Sequence, residues 1–130
     1  MLQKLKTPGI PLWVTLFALL TFVFGAVLGL MAIFGPMPGF ENVDPSLAAA
    51  WGGRALGIGR AALLAVFLKS PEAYIVAFAA GAFRDIGDIV GEFGRPQPSM
   101  GVLVVTFLFL AVCIYGILVA FKARKSMFLK

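Results

Sequence analysis

Between Ala80 and Glu92 the chain reads AGAFRDIGDIVGE, one arginine and three carboxylates set into a stretch that is otherwise long and apolar. A charge at the centre of a lipid bilayer costs about 2.5–3.5 kcal/mol on insertion scales, so each one needs a partner or a use. Gly81, Arg84, Asp85, Asp88 and Glu92 recur at i, i+3 and i+4, which places them on one stripe of a helix. A helix that is polar along a single stripe must turn it toward other helices or a wet cavity, never toward lipid. The stretch therefore predicts an all-α membrane bundle with a polar site in its interior.

The rest of the chain agrees. Of 130 residues, 61% are hydrophobic and 13% charged, against about 45–50% and about 25% in soluble domains. At about 20 residues per span, the length accommodates one four-helix domain over residues 1–130. The net charge of +5 comes mostly from the chain ends, as the positive-inside rule requires. No nucleic-acid motif accompanies it, so a nucleic-acid partner is not expected. One cysteine, Cys113, permits no internal disulfide, and the lack of histidine removes the commonest metal ligand and near-neutral proton carrier. The expectation is no metal and no cofactor, with any acid–base work done by Asp, Glu, Lys, Arg or Tyr.

Four spans are expected, at about 10–34, 47–68, 71–93 and 100–121. The first apolar run exceeds a signal peptide's 7–15-residue core, so it reads as a retained span. Pro8 and Pro11 suit its start, and Trp13 an interfacial belt. Gly25 and Gly29 form a G-x-x-x-G face that lets another helix approach, and Gly53 and Gly57 a second such face in span two. GPMPGFENVDPS, Gly35 to Ser46, breaks the first helix. Lys69-Ser70-Pro71-Glu72 turns the chain, with Lys69 and Glu72 an exposed pair of little consequence. Gly94 to Ser99 separates spans three and four, and Lys122-Ala123-Arg124-Lys125 is expected to stop the last. Trp51 reads as interfacial, and Tyr74, Thr106, Cys113 and Tyr115 as packing.

Lys4 and Lys6 precede span one, Lys69 follows span two, and Lys122, Arg124, Lys125 and Lys130 follow span four, whereas the first loop carries only Glu41 and Asp44. This bias places both termini in the cytoplasm of a bacterial inner membrane or its equivalent; Arg95 alone dissents. Spans two and three are then antiparallel neighbours. At about 1.5 Å per residue, Arg54 and Asp88 lie at matching depths of about 8–9 Å, with Arg84 and Asp85 about a turn deeper and Arg60 roughly a turn below those, near the bilayer middle. Cross-helix pairs Arg54–Asp88 and Arg60–Asp85 follow. Arg54, Arg60, Arg84, Asp85, Asp88 and Glu92 together sum to zero charge.

WGGRALGIG (Trp51 to Gly59), followed in the next helix by RDIGD (Arg84 to Asp88), resembles small four-helix integral membrane proteins of uncharacterised domain families. Their pattern combines a Gly-Arg-x-x-x-Gly-type second helix with an aspartate in the third. The resemblance covers about a third of the chain and implies a four-helix architecture centred on Arg54 and Asp88. Arg60 and the doubled Arg84-Asp85 fall outside that pattern.

Three functions fit these residues. The sharpest is an intramembrane site for a hydrophobic small molecule. There Asp85 and Asp88 would serve as acid and base with Arg54 stabilising charge, while Arg60, Arg84 and Glu92 bind ligand. The chemistry would be redox-neutral: hydrolysis, isomerisation, or epoxide opening and cyclisation. The second is an accessory or assembly subunit of a larger membrane complex, in which the charges are structural. The third is a proton- or ion-coupled carrier using the same carboxylates as a homo-oligomer, a dimer, which a cluster of zero net charge makes less apt.

Overall fold

The structure is a computed structural model describing residues 6–35 and 43–129. Lys4, Glu41 and Lys130, and most of the first loop, lie outside the described residues. Within them the chain is all-α, with helices α1 (Leu12–Phe34), α2 (Pro45–Leu68), α3 (Pro71–Phe93) and α4 (Met100–Phe128). Leu12–Phe34, Pro45–Leu68 and Met100–Met127 are long and apolar enough to cross a membrane. A 23-residue helix such as α1 extends about 35 Å, against about 30 Å of hydrocarbon. α3 has the same 23 residues but carries the charged stripe.

Helices α2, α3 and α4 each begin at a side-chain cap. Asp44 caps α2 by accepting the Ser46 amide at 2.8 Å, with Pro45 in the first turn, so α2 starts two residues earlier than the apolar run suggests. Burial plays little part in Asp44's low pKa: the hydrogen bonds from Ser46 hold this exposed carboxyl below its ordinary value. Ser70 caps α3 through Ala73 N at 3.3 Å, with Pro71 following. Lys69, in the left-handed region at φ 50°, ends α2 and leaves only a tight turn before α3. Ser99 caps α4, whose end departs from expectation. Lys122, Arg124 and Lys125 do not stop it, because all three are good helix formers that continue it to Phe128. There Arg124 pairs with Glu72 at 3.3 Å, taking the carboxylate that the turn residue Lys69 was expected to engage.

Much of the interior is built from small residues, with Ile10, Val14, Tyr74 and Phe78 among its larger members. Ala18, Ala32, Ala55, Ala62, Ala65, Ala77, Ala82 and Ala120 are buried, while Leu20, Val27, Phe67, Phe83, Val104 and Leu118 project outward. Small inside and large apolar outside is the reverse of a soluble core, and it suits helices that pack in lipid by close backbone approach. With three membrane-length helices, this supports a membrane-embedded helix bundle.

α1 and α2 form one closely packed hairpin and α3 and α4 another. A Cβ at Gly25 would lie 2.6 Å from Ala55 O, and one at Gly52 only 2.5 Å from Gly29 O. The predicted Gly25/Gly29 face is thus in use. Its counterpart on α2 is Gly52, Ala55 and Gly59, not Gly53 and Gly57, which meet nothing within 4 Å. The burial of Ala48, Gly52, Ala55, Gly59 and Ala62 shows why: that stripe faces α1, and Gly53 and Gly57 lie beside it.

At the end of the bundle nearest the termini, the hairpins are joined by a core of buried side chains. Tyr74 Oη and Thr15 Oγ1 share a buried hydrogen bond of 3.0 Å between α3 and α1. Phe17 contacts the rings of Phe78 and Phe109 at centroid distances of 6.0 and 5.7 Å. Gly9, at φ 74°, brings the segment before α1 against Ala123 of α4.

Candidate functional site

Toward the opposite end, near the α1–α2 and α3–α4 connections, the hairpins separate and leave a half-open cavity of about 400 Å³ between them. All four helices line it. α1 gives Thr21, Phe24, Gly25 and Leu28; α2 gives Trp51, Arg54 and Ala55; α4 gives Val105, Thr106 and Phe109. α3 supplies the charge, through Arg84, Asp85 and Asp88. The size falls in the ordinary range for small-molecule pockets, and the mix of apolar wall with a few convergent polar groups is typical of them.

The polar wall is one connected chain across two helices. Arg54 Nη2 of α2 donates to Asp88 Oδ1 of α3 at 2.7 Å, the pairing that depth matching predicts. Arg84 Nε stands 3.9 Å from Asp88 Oδ2, one turn away, and also donates to Asp85 Oδ1 at 2.8 Å. Arg84 Nη2 donates to that same Asp85 oxygen. Arg84 is therefore the link between the two carboxylates. Two guanidiniums and two carboxylates compensate one another at the cavity wall.

Asp85 is the deepest of the four, with 1% of its surface exposed. Both of its bonds from Arg84 end on Oδ1, and its buried Oδ2 has no hydrogen-bond partner among the described residues. By contrast the Arg54 and Asp88 side chains are 44% and 28% exposed and stand nearer the mouth.

Two of the expected site residues stand elsewhere. Arg60 does not reach Asp85. It is exposed, does not line the cavity, and enters no ion pair among the described residues. Six residues of helix separate it by about 120° from Arg54, and that rotation carries it off the α3 side. Asp85 instead takes its immediate neighbour Arg84. Glu92 is buried but also lies off the cavity. Its Oε1 accepts the Ser99 amide at 2.6 Å and its Oε2 stands 3.4 Å from Arg95 Nη1, so it ties the α3–α4 loop to the start of α4. Arg95, the dissenting cation of the charge pattern, is thus engaged locally.

Other lining residues carried weaker signals. Trp51, read as interfacial, forms part of the wall. Thr21 and Thr106 are hydroxyls in otherwise apolar helices, and both donate to their own backbone, to Phe17 O at 2.9 Å and Val102 O at 2.8 Å. Phe24, Leu28, Val105 and Phe109 are indistinguishable in sequence from lipid-facing residues. Among the described residues no group of three or more His, Cys, Asp or Glu side chains is arranged as metal ligands would be.

No protein-family model matches the chain, and neither a curated protein nor a solved structure proved similar to it. The functional reading accordingly rests on the geometry of this bundle.

Proposed function

We propose that the chain is a four-span integral membrane protein, with α3 as its fourth span, that holds a hydrophobic small molecule against an intramembrane Arg/Asp site. The observation that carries this is the cavity between the hairpins, apolar over most of its wall and charged only where α2 meets α3. A register-fixing network would need the charges but not the space beside them. Asp85 and Asp88, one turn apart on α3, could exchange a proton with a bound molecule, and Arg54 or Arg84 could stabilise developing negative charge. The chemistry that suits this set is redox-neutral acid–base chemistry: hydrolysis, isomerisation, or epoxide opening and cyclisation.

The placement of the basic residues supports an orientation. Lys6, Lys69, Lys122, Arg124 and Lys125 belong to the ends of the helices where Gly9 meets Ala123 and Glu72 meets Arg124. The excess of basic residues there favours both termini in the cytoplasm. A bacterial inner membrane or an equivalent membrane is the setting this implies.

Photolabelling with a diazirine-bearing lipophilic probe in nanodiscs tests the small-molecule reading. Saturable labelling that maps to Thr21, Phe24, Leu28, Trp51 or Phe109 is expected, with competition by unlabelled probe. Labelling spread uniformly over outward residues such as Phe67 and Leu118 would remove it.

A second reading, an accessory or assembly subunit, has its own support on the outer face of α2. Gly53, Gly57 and Arg60 follow one another there at i, i+4 and i+7, with open space over both glycines and an exposed guanidinium. A stoichiometric partner retained through purification from native membranes would favour it.

A further inference from the structure

Arg60 is a charge inside an apolar helix that nothing else in the bundle answers. It is exposed on the outer face of α2, between Gly57 and Leu64, and enters no ion pair and no hydrogen bond among the described residues. An unpaired guanidinium within hydrocarbon is costly and calls for a partner of opposite charge. About 12 Å of helix rise separates Arg60 from the Leu68 end of α2, and about 22 Å from the Pro45 end. The Cα–Cβ bond of a helical residue tilts toward the helix N-terminus, here along the longer path. Arg60 is thus aimed toward the middle of the bilayer and away from the nearer head groups, so a lipid phosphate is poorly placed to meet it.

A second copy of this chain is no better matched. About an axis along the membrane normal, two such faces would set guanidinium against guanidinium. Among the described residues every carboxylate is already engaged: Asp44 with Ser46, Glu72 with Arg124, Asp85 with Arg84, Asp88 with Arg54 and Glu92 with Arg95. Resting on the accessory-subunit reading above, we propose that the outer face of α2 docks a transmembrane helix of a different protein, one whose own Asp or Glu meets Arg60 within the hydrocarbon. The open space over Gly53 and Gly57 lets that helix come close enough for a direct guanidinium–carboxylate contact.

Designed transmembrane peptides supply the test. A leucine–alanine host helix carrying one mid-span Glu, the same helix with Gln, and the same with Leu would each be titrated against the donor-labelled protein in phosphatidylcholine vesicles and followed by energy transfer. The Glu peptide should bind saturably at a peptide-to-lipid ratio roughly fivefold or more below the other two. Arg60→Leu, which exchanges an exposed charge for an apolar side chain and so spares the fold, should erase that advantage. A Glu preference that survives Arg60→Leu would overturn the proposal. Equal binding by all three peptides, lost in Gly57→Leu, would also overturn it, leaving the docking face without its carboxylate. Energy transfer between copies of this chain that Arg60→Leu abolishes would overturn it in favour of a second copy. If none of the peptides binds saturably, the docking reading of this face fails with it.

Discussion

The two seams that α2 makes with its neighbours are held by opposite means. Against α1 it presents Gly52, Ala55 and Gly59, and at Gly52 the backbones meet with no space for a single added carbon. Against α3 it presents Arg54, and contact is made through a 2.7 Å ion pair at the end of a long side chain. Backbone contact lets nothing between the helices, whereas a guanidinium bridge holds them at arm's length. The cavity lies on the second seam for that reason. The glycine seam sets the fold; the charged seam keeps a space open within it.

The harshest way to break this contrast is to add bulk to the tight seam. Gly52→Val or Gly25→Val should cost about 3 kcal/mol or more, since the new carbons fall on opposing backbone oxygens that cannot move aside. Gly53→Val and Gly57→Val, facing open space, should stay within about 0.5 kcal/mol. Detergent unfolding of the four variants reads the difference, and equal losses at Gly52 and Gly53 would refute the assigned face. On the charged seam, Asp88→Asn should cost about 1–3 kcal/mol, as expected for a hydrogen bond to a charged group. Arg54→Gln combined with Asp88→Asn should cost much less than the sum of the two single changes, because the partners share one interaction.

Smaller effects sharpen the comparison at the ends of the bundle. Tyr74→Phe removes the buried Thr15–Tyr74 hydrogen bond between α1 and α3, and about 1 kcal/mol should go with it. The loss should leave probe binding at the cavity unchanged. Least of all is the acid response of the α2 cap. The Asp44 pKa is lower in the folded chain, so its contribution is present above the ordinary value of 3.8 and lost as pH falls through the folded value. The protection factors of the amides in the first turn of α2, exchange relative to the intrinsic rate at each pH, should therefore fall as pH drops from about 5 to about 2, and Asp44→Ala should flatten that response. An unchanged profile in the variant would mean the cap does not hold this end.

Much of this was legible in the residues because charge in an apolar helix leaves few options. The four helices, their antiparallel hairpins and the Arg54–Asp88 pair follow from run lengths, breaks and matched depths. The partner of Asp85 was not legible. Depth alone nominated Arg60, but partner choice also depends on which way each helix is rotated, and α2's rotation is set by its glycine face against α1. A chain rich in G-x-x-x-G spacings offers two registers, 52/55/59 and 53/57, and only packing distinguishes them. Glu92 misled for a related reason. It shares the stripe of Asp85 and Asp88, but lies one turn nearer the loop, where the free amide of Ser99 claims it. The apolar walls of the cavity were invisible because in a membrane bundle lining and lipid-facing residues are drawn from the same alphabet.

The central claim is that Arg54 and Asp88 bridge α2 and α3 at the mouth of a cavity, and a charge swap tests it most directly. Arg54→Asp and Asp88→Arg, each made alone and then together, would be compared by unfolding in nanodiscs. Each single reversal should destabilise the bundle, and the swapped pair should recover most of the loss. A double variant as unstable as the sum of its parts would mean that these side chains do not meet.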